Sequence, residues 1–472
     1  MKPLDLPGVT SVIGGGRSGI DAALALLNMG ALVVLSDRGP ADLLNLGKIS
    51  EVTRAGGQFI ITSDPEQAVP AGTKLVVVSP GVPLTAPPIA RAQALGIPVW
   101  SEIELGARIS DAPIAAITGT NGKTTSTMLL HQMFLASGMT SHVCGNISAD
   151  HVKQTLVAAA CAAEPGSILT AEISSFQLES TRTFAPQVGA ITNVTPDHLD
   201  RYANMEQYAE AKSRIFASQT EDQWAVLNAD NFYCRQIGSR PMRSQRVWIS
   251  ALRKPHLEGG AAWVEDGVLT VMLTAQRQSV AICQLSELPI SLAGRHNVEN
   301  VLTAASMALA LGASQEGIAG AVNQFAGVPH RMETVAVIQG VTYINNSMCT
   351  NTEAAVSSLS ALRAPAVVIA GGAGKGLDYA PLGAALQRHS RCTVLIGANS
   401  QEMKQVLGEN GYYDTTLAED LQDALRQAHQ RAQPGDCVIL CPAAASFDMF
   451  NNFEDRGRQF RELVLNLSGE SG

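Results

Sequence analysis

The segment Gly119-Thr120-Asn121-Gly122-Lys123-Thr124-Thr125 constrains this chain more than any other. It follows the apolar run 114–117 and precedes a stretch with apolar residues at Met128, Leu129, Met133 and Phe134, so it reads as strand, glycine-rich turn and helix. Such a turn offers backbone N–H groups and a lysine to phosphate oxygens. Lys123 is placed for the β- and γ-phosphates of a nucleotide, and the Thr124 hydroxyl for Mg²⁺. The longer P-loop pattern requires glycine where Ile117 stands, and the match is to the shorter G-T-N-G-K-T form. A unit of this kind belongs in a parallel α/β sheet, whose ligands lie outside the carboxyl ends of the strands.

A second glycine loop, Gly14-Gly15-Gly16-Arg17-Ser18-Gly19, fits G-x-G-x-x-G after the run 9–13, with Asp37 at the end of the next strand. Its glycines let a pyrophosphate approach the N–H groups of a helix N-terminus, and the carboxylate can accept from a ribose hydroxyl. NAD, another diphosphate ligand and a purely structural turn all satisfy that pattern. Glu172 ends the run 167–171, while Asp197, His198 and Asp200 follow the run 188–193. These groups should converge with Lys123, where carboxylate and imidazole can ligate Mg²⁺ directly or through water.

Three sections of βα pattern are visible. The first holds apolar runs at 9–13, 31–35, 59–61 and 74–78, the second at 114–117, 167–171, 188–193 and 224–227, and the third at 341–344, 366–370, 393–396 and 437–440. The expected architecture is α/β in three domains: a Rossmann-like domain over 1–102, a P-loop-type ATPase domain over 103–327 and a Rossmann-like domain over 328–472. A chain of 472 residues is too long for one core. A net charge of −9 argues against nucleic acid as a partner. No apolar run approaches the roughly 18 to 20 residues that span a bilayer, and no signal peptide is read at the N-terminus, so a cytoplasmic protein is expected. The eight cysteines contain no C-x-x-C pair and are read as reduced, buried thiols.

Further segments carry a resemblance: Glu172-Ile173-Ser174-Ser175-Phe176-Gln177-Leu178-Glu179, Asn193-Val194-Thr195-Pro196-Asp197-His198-Leu199-Asp200-Arg201-Tyr202 and Gly294-Arg295-His296-Asn297. With the phosphate loop, and with Pro329-His330-Arg331, Pro442-Ala443-Ala444-Ala445-Ser446-Phe447-Asp448 and Asn452-Phe453-Glu454-Asp455-Arg456-Gly457, they make the chain resemble the Mur ligase family over essentially its whole length. Within that family the match is to members that add D-glutamate to UDP-N-acetylmuramoyl-L-alanine. The resemblance implies an ATP-dependent, amide-bond-forming ligase of peptidoglycan synthesis that works as a monomer through an acyl phosphate. It implies a uridine diphosphate site at Arg17, Ser18, Asp37, Arg38, Ser79, Pro80 and Gly81, with Asn146 near the muramoyl portion. It implies ATP at Gly119 to Thr125, with Asn300 at the adenine, Arg331 toward the phosphates and Asn346 at the ribose. Thr124, Glu172 and His198 become metal-site residues for one or two Mg²⁺ ions, and Lys212 the lysine that CO₂ converts to a carbamate, a further oxygen ligand. Thr350, Lys375, Ser446 and Phe453 fall where the incoming glutamate is held.

The chain departs from the family at three positions. The usual Asn-Asp-Ser-Lys is Asn345-Asn346-Ser347-Met348, and the usual aspartate before Gly374-Lys375 is Ala373, so two anions and one cation are missing. Ligases that add L-glutamate or another amino acid, or that resemble folylpolyglutamate synthase, therefore stand as alternatives. So do an NAD-dependent oxidoreductase built on the first glycine loop and a nucleotide-binding regulator without catalysis.

Overall fold

The computed structural model describes every residue except 1, 3, 5, 7, 41–43, 148–153, 199–200, 275–277, 293, 375–377 and 470–472. These residues form two compact units, Met1–Ser286 with His296–Val322, and Glu287–Arg295 with Asn323–Gly472. Each of the three sections expected from the sequence carries a sheet of its own. Among the described residues no helix is long and apolar enough to cross a membrane.

The first sheet is wholly parallel, in the order Gln58–Ile61, Leu32–Asp37, Val9–Ile13, Thr73–Val78, Val99–Ser101. From Val9–Ile13 the chain winds one way through the next two strands and then the other way. The crevice where the order reverses therefore lies beside the carboxyl end of Val9–Ile13, which is where such sheets bind ligands. Gly19 packs helix Arg17–Asn28 against this turn so closely that a Cβ on it would stand 1.8 Å from the Gly14 carbonyl oxygen.

The second sheet has nine strands. Ile114–Thr118, which leads into the phosphate loop, lies between Val188–Ile191 and Ile168–Glu172, all parallel. Strands buried on both faces read as continuous apolar runs, which is why 114–117 is legible without alternation. Beyond Trp224–Asn228 and Gln245–Ser250 the sheet ends in an antiparallel meander, Gly260–Glu265, Val268–Met272 and Val280–Gln284. This edge departs from the parallel sheet that the βα pattern predicts. Its hairpin turns at Asp266-Gly267, both with positive φ, which is the primed turn that Asp-Gly favours. Helices Glu102–Ile109 and Leu156–Ala162 join the first two sheets within this unit, and Gly106 allows their close approach. The Glu104 carboxylate seats the first helix by accepting from the N–H groups of Arg182, Thr183 and Phe184.

In the second unit the strand order is Glu333–Ile338, Val341–Asn345, Cys437–Leu440, Ala366–Gly371, Ser390–Ile396, Thr415–Leu417. All are parallel except the first pair, a hairpin turning at Gln339-Gly340. The carboxyl ends of Val341–Asn345, Cys437–Leu440 and Ala366–Gly371 thus bring 346–350, 441–446 and 372–374 to one edge.

Candidate active site

The phosphate loop is held from beneath by side chains of neighbouring strands. Thr120 N–H donates to the Asn193 carbonyl, Asn121 N–H to Asn193 Oδ1 at 2.9 Å, and Thr192 Oγ1 to the Asn121 carbonyl at 2.6 Å. Gly119 (φ 147°) and Gly122 (φ 81°) are where the backbone passes closest to its supports. A Cβ on Gly119 would meet Thr192 Oγ1 at 1.9 Å, and one on Gly122 would meet Asn300 Oδ1 at 2.2 Å. Asn300 is buried under the loop, accepting from Ser126 Oγ and donating to Asn297 Oδ1. Helix Lys123–Ala136 starts at the loop, with Thr125 buried in its first turn. Its N-terminal N–H groups and dipole favour an anion. Lys123 Nζ donates to the Thr120 carbonyl at 2.9 Å, folded back over the loop.

Thr124 Oγ1 donates to Glu172 Oε2 at 2.7 Å, so the hydroxyl and the carboxylate offer a hard cation two oxygens side by side. His198 sits at φ 52° with its ring centroid 4.9 Å from that of Phe176 and 6.1 Å from that of Tyr208. Asp200 lies outside the described residues. Lys212 is 1% exposed, donates from Nζ to the Gly119 carbonyl at 2.9 Å and lies 4.4 Å from the Tyr208 ring centroid. Burial first, and then the Lys123 charge, pull its amine down to about 7, although Asp197, Cys234 and Glu172 act the other way. Among the described residues no cluster of three His, Cys, Asp or Glu side chains forms a ready metal cage.

At the first sheet, Asp37 ties the glycine loop. Its Oδ2 accepts from Gly15 N–H at 2.6 Å and its Oδ1 from Gly39 N–H at 2.9 Å. Ser79 Oγ donates to the Gly14 carbonyl, which brings the Ser79-Pro80-Gly81 turn to the same crevice as Arg17 and Ser18. Arg17, Arg38 and Gly81 are exposed there, and Ser18 and Pro80 half-buried. Asn146 is exposed and its N–H donates to the Glu172 carbonyl at 2.7 Å.

In the second unit Asn346 is buried and its amide is fully engaged. Its Oδ1 accepts from Met332 N–H, while its Nδ2 donates to Ser358 Oγ at 2.9 Å and to Cys441 Sγ at 3.7 Å. Thr350 is half-buried, Ser446 buried and Phe453 half-buried, with the Phe453 carbonyl accepting from Ser347 Oγ. Arg331 N–H donates to the Val328 carbonyl. Lys375 lies outside the described residues.

Comparison with known proteins bears on this arrangement. Residues 117–308 match the Mur ligase middle domain, and residues 330–444 the Mur ligase, glutamate ligase domain. A UDP-N-acetylmuramoylalanine--D-glutamate ligase of Pelotomaculum thermopropionicum is 40% identical over 456 residues, covering 97% of each chain. The chain belongs to the Mur ligase family. A Salinibacter ruber protein of the same name is 37% identical, again over 97% of each chain. Two solved structures share the fold at 17% identity. They are a UDP-N-acetylmuramate-alanine ligase of Thermotoga maritima (TM-score 0.54, covering 98% of this chain and 99% of that one) and a pseudomurein peptide ligase type C of Methanothermus fervidus (TM-score 0.52, 98% and 100%). This Mur ligase is an ATP-dependent enzyme that forms amide bonds, as its family is, and an oxidoreductase is thereby set aside.

Two groups of residues that hold the site together in this Mur ligase had no role assigned from the sequence. Glu179 accepts from Arg201 Nε (3.1 Å), Arg201 Nη2 (2.6 Å) and the Tyr202 hydroxyl (2.7 Å), and the Arg201 guanidinium lies 4.1 Å over the Phe176 ring. The segment after Glu172 is thus clamped to the segment carrying His198. Both segments were visible as motifs, but nothing in their spacing says that the end of one binds the end of the other. Arg201→Ala should leave Glu179 half-paired and lower stability by about 1 to 3 kcal/mol, read as a fall in the urea midpoint at constant slope. A change below about 0.3 kcal/mol would show that the clamp contributes nothing. Arg456, with no exposed surface, donates to Ser347 Oγ and the carbonyls of Ser347, Ala444 and Ala445. Burial draws its guanidinium down to about 10, so it stays charged at neutral pH.

Proposed function

We propose that this Mur ligase joins D-glutamate to the carboxylate of UDP-N-acetylmuramoyl-L-alanine in peptidoglycan precursor synthesis. An amine does not displace oxide from a carboxylate at neutral pH, so the γ-phosphoryl group of ATP is first transferred to that carboxylate. The glutamate amine then attacks the carbonyl carbon of the acyl phosphate, and phosphate leaves. Charge gathers first on the phosphoryl oxygens and then on a tetrahedral oxyanion, which is where preorganised donors act most strongly. Lys123 and the N–H groups of Gly119 to Thr125 would meet the first of these charges. What supports the reading most is the side-by-side placement of Thr124 Oγ1 and Glu172 Oε2 at the loop that begins helix Lys123–Ala136.

Thr124, Glu172 and His198 would hold one or two Mg²⁺ ions, and carbamylated Lys212 would add an anionic oxygen. Mg²⁺ bound there neutralises phosphate charge and orients the transfer. The crevice of Arg17, Ser18, Asp37, Arg38, Ser79, Pro80 and Gly81 would take the uridine diphosphate, with Asn146 toward the sugar. Asn300 and Arg331 are assigned to the nucleotide. Asn346 is assigned to the ribose, its amide having to exchange one of its present bonds for that contact. Thr350, Lys375, Ser446 and Phe453 are assigned to the amino acid. The domain limits 1–102, 103–327 and 328–472 belong to this reading, as do a monomeric state and a cytoplasmic site of action.

The test is incubation with ATP, Mg²⁺ and UDP-N-acetylmuramoyl-L-alanine against D-glutamate, L-glutamate, D-aspartate and glutamine, with mass detection of product. D-Glutamate is expected to couple best. Glutamine should be poorer by roughly 10² to 10⁴-fold, because a site that pairs both carboxylates leaves its own polar groups unpaired with a neutral analogue. Preferential coupling of L-glutamate would overturn the stereochemical assignment, and efficient coupling of glutamine the dicarboxylate site.

A further inference from the structure

The cysteines, read from the sequence as reduced, buried thiols, include two that meet. Cys349 and Cys441 are 92 positions apart, yet their sulfurs stand 3.6 Å from each other, with the Cys441 thiol donating to Cys349. They are 4% and 1% exposed. Cys349 immediately precedes Thr350, and Cys441 opens the segment that runs through Pro442 to Ser446. The two segments are also tied through their backbones, since Ala443 N–H donates to the Cys349 carbonyl at 3.0 Å. The thiols therefore face each other across a contact that already fixes the approach of their chains. The mechanism proposed above uses neither of them.

We propose that Cys349 and Cys441 form a reversible dithiol–disulfide modification site, oxidised by a hydroperoxide, whose closure displaces Thr350 and the 441–446 segment from their amino-acid-binding position. The sulfurs must move from 3.6 Å to a bond of about 2.0 Å, and Asn346 loses the thiol that its Nδ2 now meets. The two cysteines have distinct parts. The hydrogen bond from Cys441 holds the Cys349 thiol below the usual thiol range, while that same bond and burial raise Cys441 well above it. The buried Arg456 cation favours the thiolate at both. The Cys349 thiolate attacks one peroxide oxygen, forming S–O as O–O breaks, and the departing hydroxide takes up a proton as water. The Cys441 sulfur gives up its proton and attacks Cys349, forming S–S as S–O breaks, and a second water leaves. Two thiols thus supply two electrons and two protons to one peroxide.

The effect on amino-acid binding rests on the assignment of Thr350 and Ser446 made under Proposed function. The modification itself does not. The experiment treats the full-length, reduced and desalted protein with hydrogen peroxide and follows intact mass, non-reduced peptide maps and ligation rates at subsaturating D-glutamate. A mass loss of about 2 Da, a 349–441 linked peptide and a fall in kcat/KM for the amino acid on the order of 10²-fold are expected, because a positioning shift of about 1 Å costs that much. Dithiothreitol should restore all three. Cys441→Ser should keep its rate after peroxide and trap Cys349 as a dimedone-reactive sulfenic acid, and Cys349→Ala should show neither change. Peroxide treatment that gives no 349–441 peptide, or a linked enzyme with an unchanged rate, overturns the proposal. Reduced protein that never turns over D-glutamate counts against the amino-acid assignment instead, and the linked peptide then decides the modification site alone.

Discussion

Lys212→Ala should lose ligation by about 10³-fold while remaining folded, the scale seen when a group aimed at developing charge is removed. Folding survives because the change deletes a buried amine whose charged form burial disfavours, at the cost of one hydrogen bond to the Gly119 carbonyl. That bond is worth about 1 kcal/mol. The neutral amine is the form that reacts with CO₂, forming N–C and releasing a proton. At pH 7 an amine of pKa 10.5 is neutral in about one molecule in 3,000, whereas one at about 7 is neutral in about half. Carbamate loading, followed by ¹³C NMR with labelled bicarbonate, should therefore rise steeply between about pH 6 and 8 rather than near 10. The stability sign agrees. Between about 7 and 10.5 the unfolded chain binds the proton that the folded one has released, so stability rises with pH, and the burial cost is felt in full below 7. Acetate should partly rescue Lys212→Ala, and Lys212→Arg should stay inactive. An active Lys212→Arg would mean that a cation, and not a carbamate, is what the site uses.

Lys123→Ala is expected to lower amide formation by at least about 10²-fold, since removing one donor from developing charge commonly costs about 3 to 4 kcal/mol. The lysine is held over the loop by its bond to the Thr120 carbonyl and contributes no core packing, so the thermal midpoint should be little changed. A second readout separates this role from general damage to the loop. The Lys123 charge is the second-largest cause of the lowered Lys212 amine. Its removal should shift the pH midpoint of carbamate loading upward. Wild-type turnover in a folded Lys123→Ala protein would take the phosphate loop out of the mechanism, and an unmoved loading midpoint would show that the two lysines do not sense each other.

The elements nearest the chemistry were the most legible in the chain, for a physical reason. A strand buried on both faces favours apolar residues throughout, so 114–117 and 437–440 carry their own signal, and a turn that lets a phosphate approach its backbone needs glycine, as 14–19 and 119–122 supply. The antiparallel edge over 260–284 was missed although Asp266-Gly267 marks its hairpin, because recurring βα units had set the expectation of a parallel sheet. The three departures in the second unit were also visible in the chain, but their setting was not. Asn346 looked like a residue free to meet a ribose, yet its oxygen holds Met332 and its nitrogen Ser358 and Cys441.

By itself the sequence determined the strand, glycine turn and helix at 114–136 and the three βα sections, since these depend on residues within a few positions of one another. The tertiary structure alone decided which of those residues touch. It set Lys212 beneath Gly119, where burial drives its amine toward neutrality. It closed Glu179 on Arg201, drew Arg456 out of solvent to bind three carbonyls, and brought Cys349 to Cys441 across 92 residues. Local pattern reports what a strand or turn needs from its own residues. Desolvation, charge coupling and thiol contact depend on distances between segments that only packing establishes.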